Sequence, residues 1–317
     1  MRCLVTGAAG FIGSTLAEAL VARGDAVLGI DCFTDYYARA LKERNLAALR
    51  QSPRFEFLEA DLMDVAWPEV LVGVDVVFHQ AAQAGVRSSW GRDFRCYTDW
   101  NILATQMLLE AARHCPSPPR IVAAGSSSVY GEREDMPLRE SDRPHPVSPY
   151  GVTKLASEHL CVLYAHNFGL ETSVLRYFTV YGPRQRPDMA FHKFLRAVHL
   201  GEEIPLYGDG LQTRDFTFVD DAVAANLAAA EHAPAGGVYN IGGGSRVTMR
   251  HCIEVLGQVT GREVKVAWHP RQHGDVTHTA ADTTLAARDL KWAPRVALPE
   301  GLARENDYVA ALLAEGL

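Results

Sequence analysis

The sequence predicts an α/β fold, a doubly wound parallel sheet of the Rossmann type with a smaller C-terminal α/β lobe. Three observations predict it. Short apolar runs alternate with amphipathic stretches through the first half, a glycine-rich turn follows the first run, and the alternation breaks down after Gly182. Repeated alternation of strand and helix is typical of a parallel sheet with helices on both faces.

Five apolar runs in the first half are predicted to be strands, because they are short, rich in aliphatic residues and separated by helical patterns. They occupy residues 2–6, 26–30, 55–59, 74–78 and 121–124. Runs such as VDVVF are almost continuously apolar, which indicates strands buried on both faces. Helical patterns lie near 12–23, 37–50, 98–114 and 149–167, and a further strand is predicted at 171–176.

The character of the sequence changes after Gly182, where loops lengthen and proline and glycine recur. Short strands there alternate with helical patterns near 188–200, 219–231, 248–259 and 299–314. We therefore divide the chain into a first domain over residues 1–180 and a smaller lobe over residues 181–317. We also expect the chain to cross between the two.

Charge and composition narrow the function. The 317 residues carry 31 basic and 38 acidic side chains, a net charge of −7 that does not favour a nucleic-acid surface. No apolar run reaches the ~18 residues of a membrane span, and with a strand predicted at 2–6 we expect no signal peptide. The six cysteines lack C-x-x-C spacing, which predicts reduced thiols in a cytoplasmic protein without a metal site.

The glycine-rich turn TGAAGFIG, directly after the first predicted strand, is the first candidate site. Gly7 permits the tight turn, Gly10 lets the backbone approach a pyrophosphate, and Gly13 lets strand and helix pack closely. The start of the helix, with Phe11 and Ile12, supplies N–H donors and a partial positive charge to the phosphates. Any strand-to-helix turn can use glycine, but an acid after the second strand favours a dinucleotide site.

Two acids follow the second and third predicted strands. Asp31 is placed where its carboxylate can bond both hydroxyls of an adenine ribose, and it would repel a 2′-phosphate. NAD is therefore favoured over NADP as the cofactor. Asp61, with its neighbour Leu62, is a second candidate near the adenine, although Asp61 is equally suited to cap the segment that follows it.

The segment SPYGVTK is the strongest catalytic candidate. Pro149 suits the first turn of a helix, so Tyr150 and Lys154 lie one turn apart on one helix face. A phenol with a pKa of about 10 is a poor base at neutral pH, but a nearby cation favours the phenolate. We expect Lys154, with the nicotinamide ring, to be that cation and to hold the nicotinamide ribose. A Tyr–Lys pair alone is common on surfaces, so this interpretation depends on the glycine-rich turn.

A serine cluster, GSSSVYG, follows the strand predicted at 121–124. Strand ends on this side of a doubly wound sheet face the ligand crevice. Ser126 is therefore predicted to share a short hydrogen bond with the reacting oxygen. The alternative interpretation is a plain polar loop.

These motifs together resemble the extended short-chain dehydrogenase/reductase family, the group of sugar-nucleotide epimerases and dehydratases. The resemblance covers nearly the whole chain and includes the segments HQAA, RDFT and NIG. It implies NAD in the N-terminal domain, a nucleotide sugar in the C-terminal lobe, and a homodimer formed through the helices near 98–114 and 149–167. The further residues that it places at the cofactor are Gln80, Ala81, Ala82, Asn101 and Tyr177.

Two segments, 84–91 and 176–190, are similar to the UDP-glucuronate 4-epimerases of that family. The similarity implies that Thr179 and Arg186 face a sugar carboxylate, for which a guanidinium offers paired donors. A phosphate contact or a surface charge is the alternative for Arg186. The other implied substrate contacts are Gly85, Val86, Arg87, Ser127 and Ser128, with Lys193 and Arg214 at the diphosphate and Asp275 at a nucleotide ribose.

The activity that this resemblance implies is NAD-dependent 4-epimerisation of UDP-glucuronic acid to UDP-galacturonic acid through a transient 4-keto intermediate. UDP-galactose 4-epimerases carry Asn at the position of Thr179 and Lys at that of Ala84. Dehydratases carry Asp-Glu at Ser127 and Ser128, and decarboxylases carry Glu at Ser128. These departures favour the acid epimerase. A UDP-glucuronate decarboxylase, an epimerase of a neutral UDP-hexose and a non-catalytic NAD sensor are the alternatives.

Overall fold

The computed structural model describes residues 1–270 and 276–317 as strands and helices that alternate along the chain. The strands are β1 (Arg2–Thr6), β2 (Ala26–Asp31), β3 (Phe55–Glu59), β4 (Val76–His79), β5 (Arg120–Ser126), β6 (Thr172–Tyr177), β7 (Val180–Tyr181), β8 (Ile204–Tyr207), β9 (Thr213–Asp215), β10 (Thr217–Phe218), β11 (Gly237–Ile241), β12 (Arg246–Thr248) and β13 (Val266–His269). The helices are α1 (Phe11–Arg23), α2 (Arg39–Leu46), α3 (Trp67–Val70), α4 (Phe94–Tyr97), α5 (Ala104–Arg113), α6 (Pro149–Phe168), α7 (Ala190–Leu200), α8 (Val219–His232), α9 (Met249–Thr260), α10 (Thr284–Leu290) and α11 (Leu298–Ala314).

Seven of the strands form one parallel sheet in the order β11-β6-β5-β4-β1-β2-β3. This confirms the predicted doubly wound fold, because the strand order reverses at β1. Parallel pairing of β1 with β4, and of β4 with β5, brings the carboxyl ends of these strands to one edge. In open α/β sheets, ligands bind at that edge, beside the point where the order reverses.

Apolar strand residues covered by helices on both faces make the core of the sheet domain. All four residues of β4 are buried, as expected of a strand covered on both sides. On one face α1 packs against α8, where Leu16 and Leu20 share a cluster with Ala225 and Ala229. On the other face α5 packs against α6. Burying one such leucine contributes about 1.5–3 kcal/mol to the stability of the fold. Packing of the helices against the sheet therefore fixes the positions of the strand ends.

The predicted boundaries differ from the structure at several places. The strand expected at 74–78 is found at Val76–His79, and β5 continues to Ser126, two residues beyond the prediction. Pairing of Ser126 with Tyr177 on β6 extends β5, which is a tertiary effect. The helix expected at 37–50 divides into α2 and a 3-10 turn, and the one at 98–114 begins with the π-helical turn Thr98–Leu103.

The second half of the chain contributes to both parts of the molecule. β11 pairs with β6 at the edge of the main sheet, so the sheet takes its last strand from beyond residue 181. Most of the remaining elements form a lobe with its own apolar cluster around Tyr181, Phe191 and Phe218. Within the two described ranges, no helix has both the length and the apolarity required to cross a bilayer.

His79 ends β4 and is almost completely buried. Its ring nitrogens hydrogen-bond to the hydroxyl groups of Thr6, at 2.9 Å, and of Thr105, at 3.0 Å. Neutral hydroxyl partners do not offset the cost of burying a charge. Burial, helped by the charge of Lys154, therefore lowers the pKa of His79 to about 3.

Acidification is expected to destabilise the protein through His79. In the unfolded chain the histidine pKa is about 6.5, so below that pH the unfolded state binds a proton that the folded state does not. The folded-state pKa is the lower one, so stability is lost as the pH falls from about 6.5, by about 2 kcal/mol between pH 7 and pH 5. Urea unfolding of the wild type and of His79→Gln at both pH values measures this loss, which should be about 2 kcal/mol smaller in the variant. Equal losses in the two proteins would contradict the assignment.

Candidate active site

Two adjoining cavities open at the carboxyl edge of the sheet. The larger has a volume of about 1020 Å³ and is bordered by residues of both lobes, and the smaller, of about 230 Å³, lies over the glycine-rich turn. The residues that line both cavities are Phe11, Ile12, Tyr36, Ala84, Gly125, Tyr150, Tyr177 and Arg186. The predicted catalytic helix therefore begins where the two cavities meet.

The glycine-rich turn borders the smaller cavity. Gly7 has a φ of +69°, a conformation that favours glycine, and its carbonyl oxygen accepts the N–H of Gly10 at 3.0 Å. A Cβ on Gly13 would lie 2.1 Å from that same oxygen, so α1 can start this close to β1 because the residue is glycine. Phe11 and Ile12, in the first turn of α1, also border the cavity. The start of a helix offers N–H donors to a bound anion.

Asp31 ends β2 on another side of the smaller cavity. Its Oδ1 accepts the N–H of Phe33 at 2.9 Å, and its Oδ2 accepts the N–H of Ala9 at 3.2 Å. The ammonium of Lys42, a buried residue that the sequence analysis did not identify, lies 3.9 Å from Oδ1. Backbone donors therefore fix this carboxylate next to the glycine-rich turn, at a position suited to ribose hydroxyls.

Asp61 caps a turn, not a helix, and it also lines the smaller cavity. Its Oδ1 accepts the N–H of Met63 at 3.0 Å, as a capping residue does, and its Oδ2 accepts the indole N–H of Trp100 at 3.0 Å. Asp61, Leu62 and Trp100 all line the smaller cavity. Because the next helix begins only at Trp67, with Ala66 as its cap, the helix-cap interpretation is wrong, and a contact of Asp61 with the cofactor stays a prediction.

Three polar side chains form a closed ring of hydrogen bonds beside the smaller cavity. The hydroxyl of Tyr177 donates to Gln80 at 3.0 Å, the amide of Gln80 donates to Asn226 at 2.9 Å, and the amide of Asn226 donates to Tyr177 at 2.7 Å. Gln80 and Tyr177 line the cavity together with Ala81 and Ala82. The ring holds the side chains of Gln80 and Tyr177 in fixed orientations. Its third member, Asn226 of α8, was not predicted.

Asn101 lies elsewhere than expected. It is 2% exposed and is not among the described residues that line either cavity. Its Oδ1 accepts the N–H of Gln83 at 2.7 Å, and its amide donates to the carbonyl of Gln83 and the hydroxyl of Thr153, both at 3.0 Å. These bonds tie the loop after β4 to α6. Asn101 therefore shapes the wall from behind.

The smaller cavity also contains an unsatisfied polar group. The hydroxyl of Tyr37 is buried and has no hydrogen-bond partner within the described chain, and Tyr37 lines this cavity. A buried polar group without a partner costs about 1–3 kcal/mol, which a ligand atom can recover. Together with the anion-binding turn and Asp31, this hydroxyl makes the cavity fit a dinucleotide.

Tyr150 and Ser126 meet at the junction of the two cavities. Tyr150 lies in the first turn of α6, which begins at Pro149 and is capped by Ser148, whose hydroxyl accepts the N–H of Gly151 at 3.1 Å. Ser126 ends β5, and its hydroxyl lies near enough to the phenol to lower the pKa of Tyr150. Its hydroxyl also accepts the N–H of Ser128 at 3.1 Å, which orients it.

Burial, Ser126 and Arg186 all influence the electrostatics of the phenol. Burial raises the pKa of Tyr150, and the hydrogen bond with Ser126 and the charge of Arg186 offset this rise in part. Lys154 is buried and donates to the carbonyl oxygen of Ala124, and burial lowers its own pKa to about 8. Ser126 and Arg186 are therefore two protein groups that favour the phenolate.

The larger cavity brings together the predicted substrate residues that the structure describes. They are Gly85, Val86, Arg87, Ser127, Ser128, Thr179, Arg186, Lys193 and Arg214. Asp275 lies outside the described residues. Four of these side chains are basic, against two acids in the same lining, Asp188 and Asp209. The cavity is thus locally basic in a chain whose net charge is −7, as an anionic sugar nucleotide requires.

Arg186 forms an ion pair within this lining. Its Nε and Nη2 donate to the two carboxylate oxygens of Asp188, at 2.9 and 3.0 Å. The hydroxyl of Tyr36 donates to the same carboxylate at 3.3 Å. Burial raises the pKa of Asp188, but the hydrogen bond and charge of Arg186 outweigh burial, so the net pKa is lowered. Asp188 and Tyr36 were both missed by the sequence analysis.

The loop that carries Arg186 is held at several points. The N–H of Gly182 donates to the buried carboxyl of Glu305 on α11 at 2.8 Å. Arg184, with a φ of +72°, pairs with Glu18 of α1 at 2.7 Å. The residues just before Arg186 therefore contact both lobes.

Several aromatic residues of the cavity walls were also not predicted. Tyr36 and Tyr37 follow β2 closely, and their place after a strand of the carboxyl edge is a signal that could have identified them. Tyr207 borders the larger cavity from the second lobe, and its ring faces the guanidinium of Arg87 at 4.7 Å. No local pattern distinguishes Tyr207 from an ordinary strand residue.

Comparison with known proteins identifies the family. Residues 3–242 match the model of the NAD dependent epimerase/dehydratase family. A UDP-glucuronic acid 4-epimerase from Bacillus cereus, solved with UDP-glucuronic acid and NAD, is 42% identical with a TM-score of 0.94, over 98% of this chain and 100% of that one. A Bacillus subtilis protein named as an uncharacterized UDP-glucose epimerase is 42% identical over 98% of this chain and 99% of its own length. A UDP-glucuronate 4-epimerase from Thermodesulfobacterium geofontis is 37% identical over 96% and 95%. The resemblance inferred from the motifs is thereby confirmed, and the chain belongs to the NAD-dependent epimerase/dehydratase family.

Proposed function

We propose that the protein is a UDP-glucuronate 4-epimerase, which interconverts UDP-glucuronic acid and UDP-galacturonic acid with a tightly held NAD. One observation carries this proposal: Tyr150 and Arg186 line both the cavity over the glycine-rich turn and the larger cavity, and Ser126 lines the larger one beside Tyr150. A proton acceptor, a cofactor site and a cation for a sugar carboxylate are thus close together. The similarity to epimerases of this acid supports the same function.

The residues of the smaller cavity would hold the cofactor. The glycine-rich turn would bind the pyrophosphate, Asp31 the adenine ribose, and Lys154 and Tyr177 the nicotinamide half. When bound, NAD⁺ accepts the hydride of sugar C4 and returns it, so the net redox change is zero. The buried Tyr37 hydroxyl would find its missing partner on this ligand.

Tyr150 would act as both general base and general acid. Its phenolate takes the proton of the C4 hydroxyl as the 4-keto sugar forms, and its phenol later gives a proton back to the C4 oxygen. Ser126, which lies next to the phenol, would hold the reacting oxygen during both steps. Between them the sugar turns over about its bond to the diphosphate, so that C4 regains hydrogen on the opposite face.

Arg186 would bind the C6 carboxylate, which lies β to the new C4 ketone. Such a carboxylate is lost as CO₂ when the C5–C6 bond aligns with the carbonyl π system. Thr179, Ser127 and Ser128 line the same cavity and can hold the carboxylate out of that alignment. A preorganised donor of this kind is worth about 3 kcal/mol in comparable sites. We therefore expect epimerisation to exceed decarboxylation.

One observation favours a second substrate, a neutral UDP-hexose. Arg186 already has a partner in Asp188, so the site can satisfy its cation without a substrate carboxylate. The Bacillus subtilis relative named for UDP-glucose is in accord with this alternative.

The experiment that tests the function is incubation of the purified protein with UDP-glucuronate, without added NAD, followed by proton NMR. Appearance of UDP-galacturonate supports the proposal and the retention of NAD. A UDP-pentose with release of CO₂ would identify a decarboxylase instead. Conversion of UDP-glucose but not of the acid would identify the hexose epimerase, and no conversion with NAD added would exclude all three.

We also propose a homodimer formed through α5, the preceding π-helical turn and α6. Val152 and Leu163 are about half exposed on α6, and they lie eleven positions apart, about three helical turns, on one face. Leu103, before the adjacent α5, is 42% exposed. A pairing of two such faces would remove these apolar side chains from water. Light scattering of the wild type and of Leu163→Asp tests this, because a dimeric wild type and a more dissociated variant are expected.

A cytoplasmic location is proposed from the cysteines. All six are free thiols in the structure, and three of them are buried. Unpaired thiols are typical of proteins from reducing compartments.

A further inference from the structure

Asp188 lies in the wall of the larger cavity, beside the cation assigned to the substrate carboxylate. It accepts two hydrogen bonds from one edge of the Arg186 guanidinium, at 2.9 and 3.0 Å. These bonds use two of the five N–H donors of the arginine and leave the others for a ligand. Tyr36 orients Asp188 through its 3.3 Å hydrogen bond, and its ring centroid lies 5.6 Å from the guanidinium carbon.

The exposure of Asp188 and Arg186 determines whether a ligand can reach them. The side chain of Asp188 is 38% exposed and that of Arg186 is 21% exposed, so the acid borders the space open to a sugar. A substrate carboxylate that approaches Arg186 therefore meets a cation that is already neutralised, with a second carboxylate alongside. Like charges placed together in a binding site oppose association, whereas the hydroxymethyl group of a hexose carries no charge.

Substitution of Asp188 by Asn would change this balance. An asparagine can still accept a hydrogen bond from Nε of Arg186, so the guanidinium keeps a partner. Its charge, however, would be uncompensated in a largely buried position, which is costly for the free protein. Binding of an acidic sugar would relieve that cost, and binding of a neutral sugar would not.

We propose that Asp188 is a specificity-determining residue that competes with the substrate carboxylate for Arg186 and so limits the preference of the site for a UDP-uronic acid over a UDP-hexose. The inference rests on the proposed function. It also predicts that the site can bind a neutral UDP-hexose as well as the acid.

The test measures dissociation constants for UDP-glucuronate and UDP-glucose by calorimetry, in a Tyr150→Phe background so that no turnover occurs. The quantity of interest is the ratio of the hexose constant to the acid constant. Asp188→Asn is expected to raise this ratio about tenfold, mainly through tighter binding of the acid. Asp188→Ser, which removes the same charge with a smaller side chain, should raise it in the same direction and stands in if the first variant does not fold.

Two further variants separate charge from geometry. Asp188→Glu keeps the charge and should restore a ratio near that of the parent. Glu18→Gln is the matched control, because it also removes one negative charge. Glu18 lies on α1 and pairs with Arg184, which is in the same loop as Arg186. Its ratio should stay within about twofold of the parent.

The outcomes distinguish this inference from the proposed function. A ratio of the hexose constant to the acid constant that stays unchanged or falls in both Asp188→Asn and Asp188→Ser would overturn the specificity role and leave Asp188 as a structural partner of Arg186. Absence of UDP-glucuronate epimerisation by the wild type would instead overturn the function on which the inference rests.

Discussion

Tyr150→Phe is expected to lower kcat for epimerisation of UDP-glucuronate by about 10³-fold, while the dissociation constant of the substrate changes less than about threefold. The variant keeps the ring, including its edge contact with Tyr97 at a centroid distance of 6.3 Å. It removes the hydroxyl that lies near Ser126 and that would exchange the proton with the sugar. NMR rates and calorimetry on the same preparation separate the loss of chemistry from a loss of binding.

Tyr164→Phe is the matched control for this experiment. Tyr164 lies on the same helix, and its hydroxyl donates to Glu110 at 2.7 Å, away from both cavities. The control should retain kcat. If Tyr150→Phe kept more than about a tenth of the wild-type kcat, Tyr150 would not be the group that moves the proton.

The second large effect is expected for Arg186→Ala, which should weaken binding of UDP-glucuronate by about 100-fold and that of UDP-glucose by less than about threefold. The reason is that the guanidinium offers charge and paired donors to a carboxylate and nothing comparable to a hydroxymethyl group. The variant also leaves Asp188 without its partner, which adds repulsion toward the acid alone. Dissociation constants for the two sugars measure the difference.

Arg184→Ala serves as the control for Arg186, since it lies two residues earlier and pairs with Glu18 of α1 instead. It should weaken binding of both sugars to a similar extent, and by less than Arg186→Ala weakens binding of UDP-glucuronate. Equal losses for the two sugars in Arg186→Ala would refute the carboxylate role.

Arg186→Ala is also expected to change the pH profile of the reaction. Arg186 lowers the pKa of Tyr150, so its removal allows that pKa to rise. Activity requires the base form, which is lost as the pH falls below the pKa. The acidic limb of kcat/KM for UDP-glucose should therefore move to higher pH in Arg186→Ala. An unchanged limb would show that the two groups are not coupled.

Expectations from the sequence were most accurate where short-range chemistry decides. The turn over Gly7, Gly10 and Gly13 is defined by backbone conformation and close approach, and both are properties of neighbouring residues. The spacing of Tyr150 and Lys154 places them on one helix face wherever that helix lies. The strand boundaries were less accurate, because pairing with a neighbour extended β5 to Ser126.

Expectations failed where burial and distant partners decide. Asn101 was expected at the cofactor, but its hydrogen bonds to Gln83 and Thr153 place it behind the cavity wall. The surroundings of Lys154 were also not predicted: burial lowers its own pKa, and its ammonium is bonded to a strand carbonyl. Desolvation depends on everything packed around a group, which a linear pattern does not contain.

The sequence by itself determined the doubly wound fold, the site of the dinucleotide turn, the acid after β2 and the pairing of a phenol with an ammonium. These follow from hydrophobic periodicity and from contacts within a helical turn. The tertiary structure alone decided that Asp188 neutralises Arg186, that Tyr36, 152 positions away along the chain, holds this acid, and that Asn226 completes the ring with Gln80. Such contacts form because packing brings separate elements to one edge of the sheet, and side chains far apart in sequence then exchange charge and hydrogen bonds.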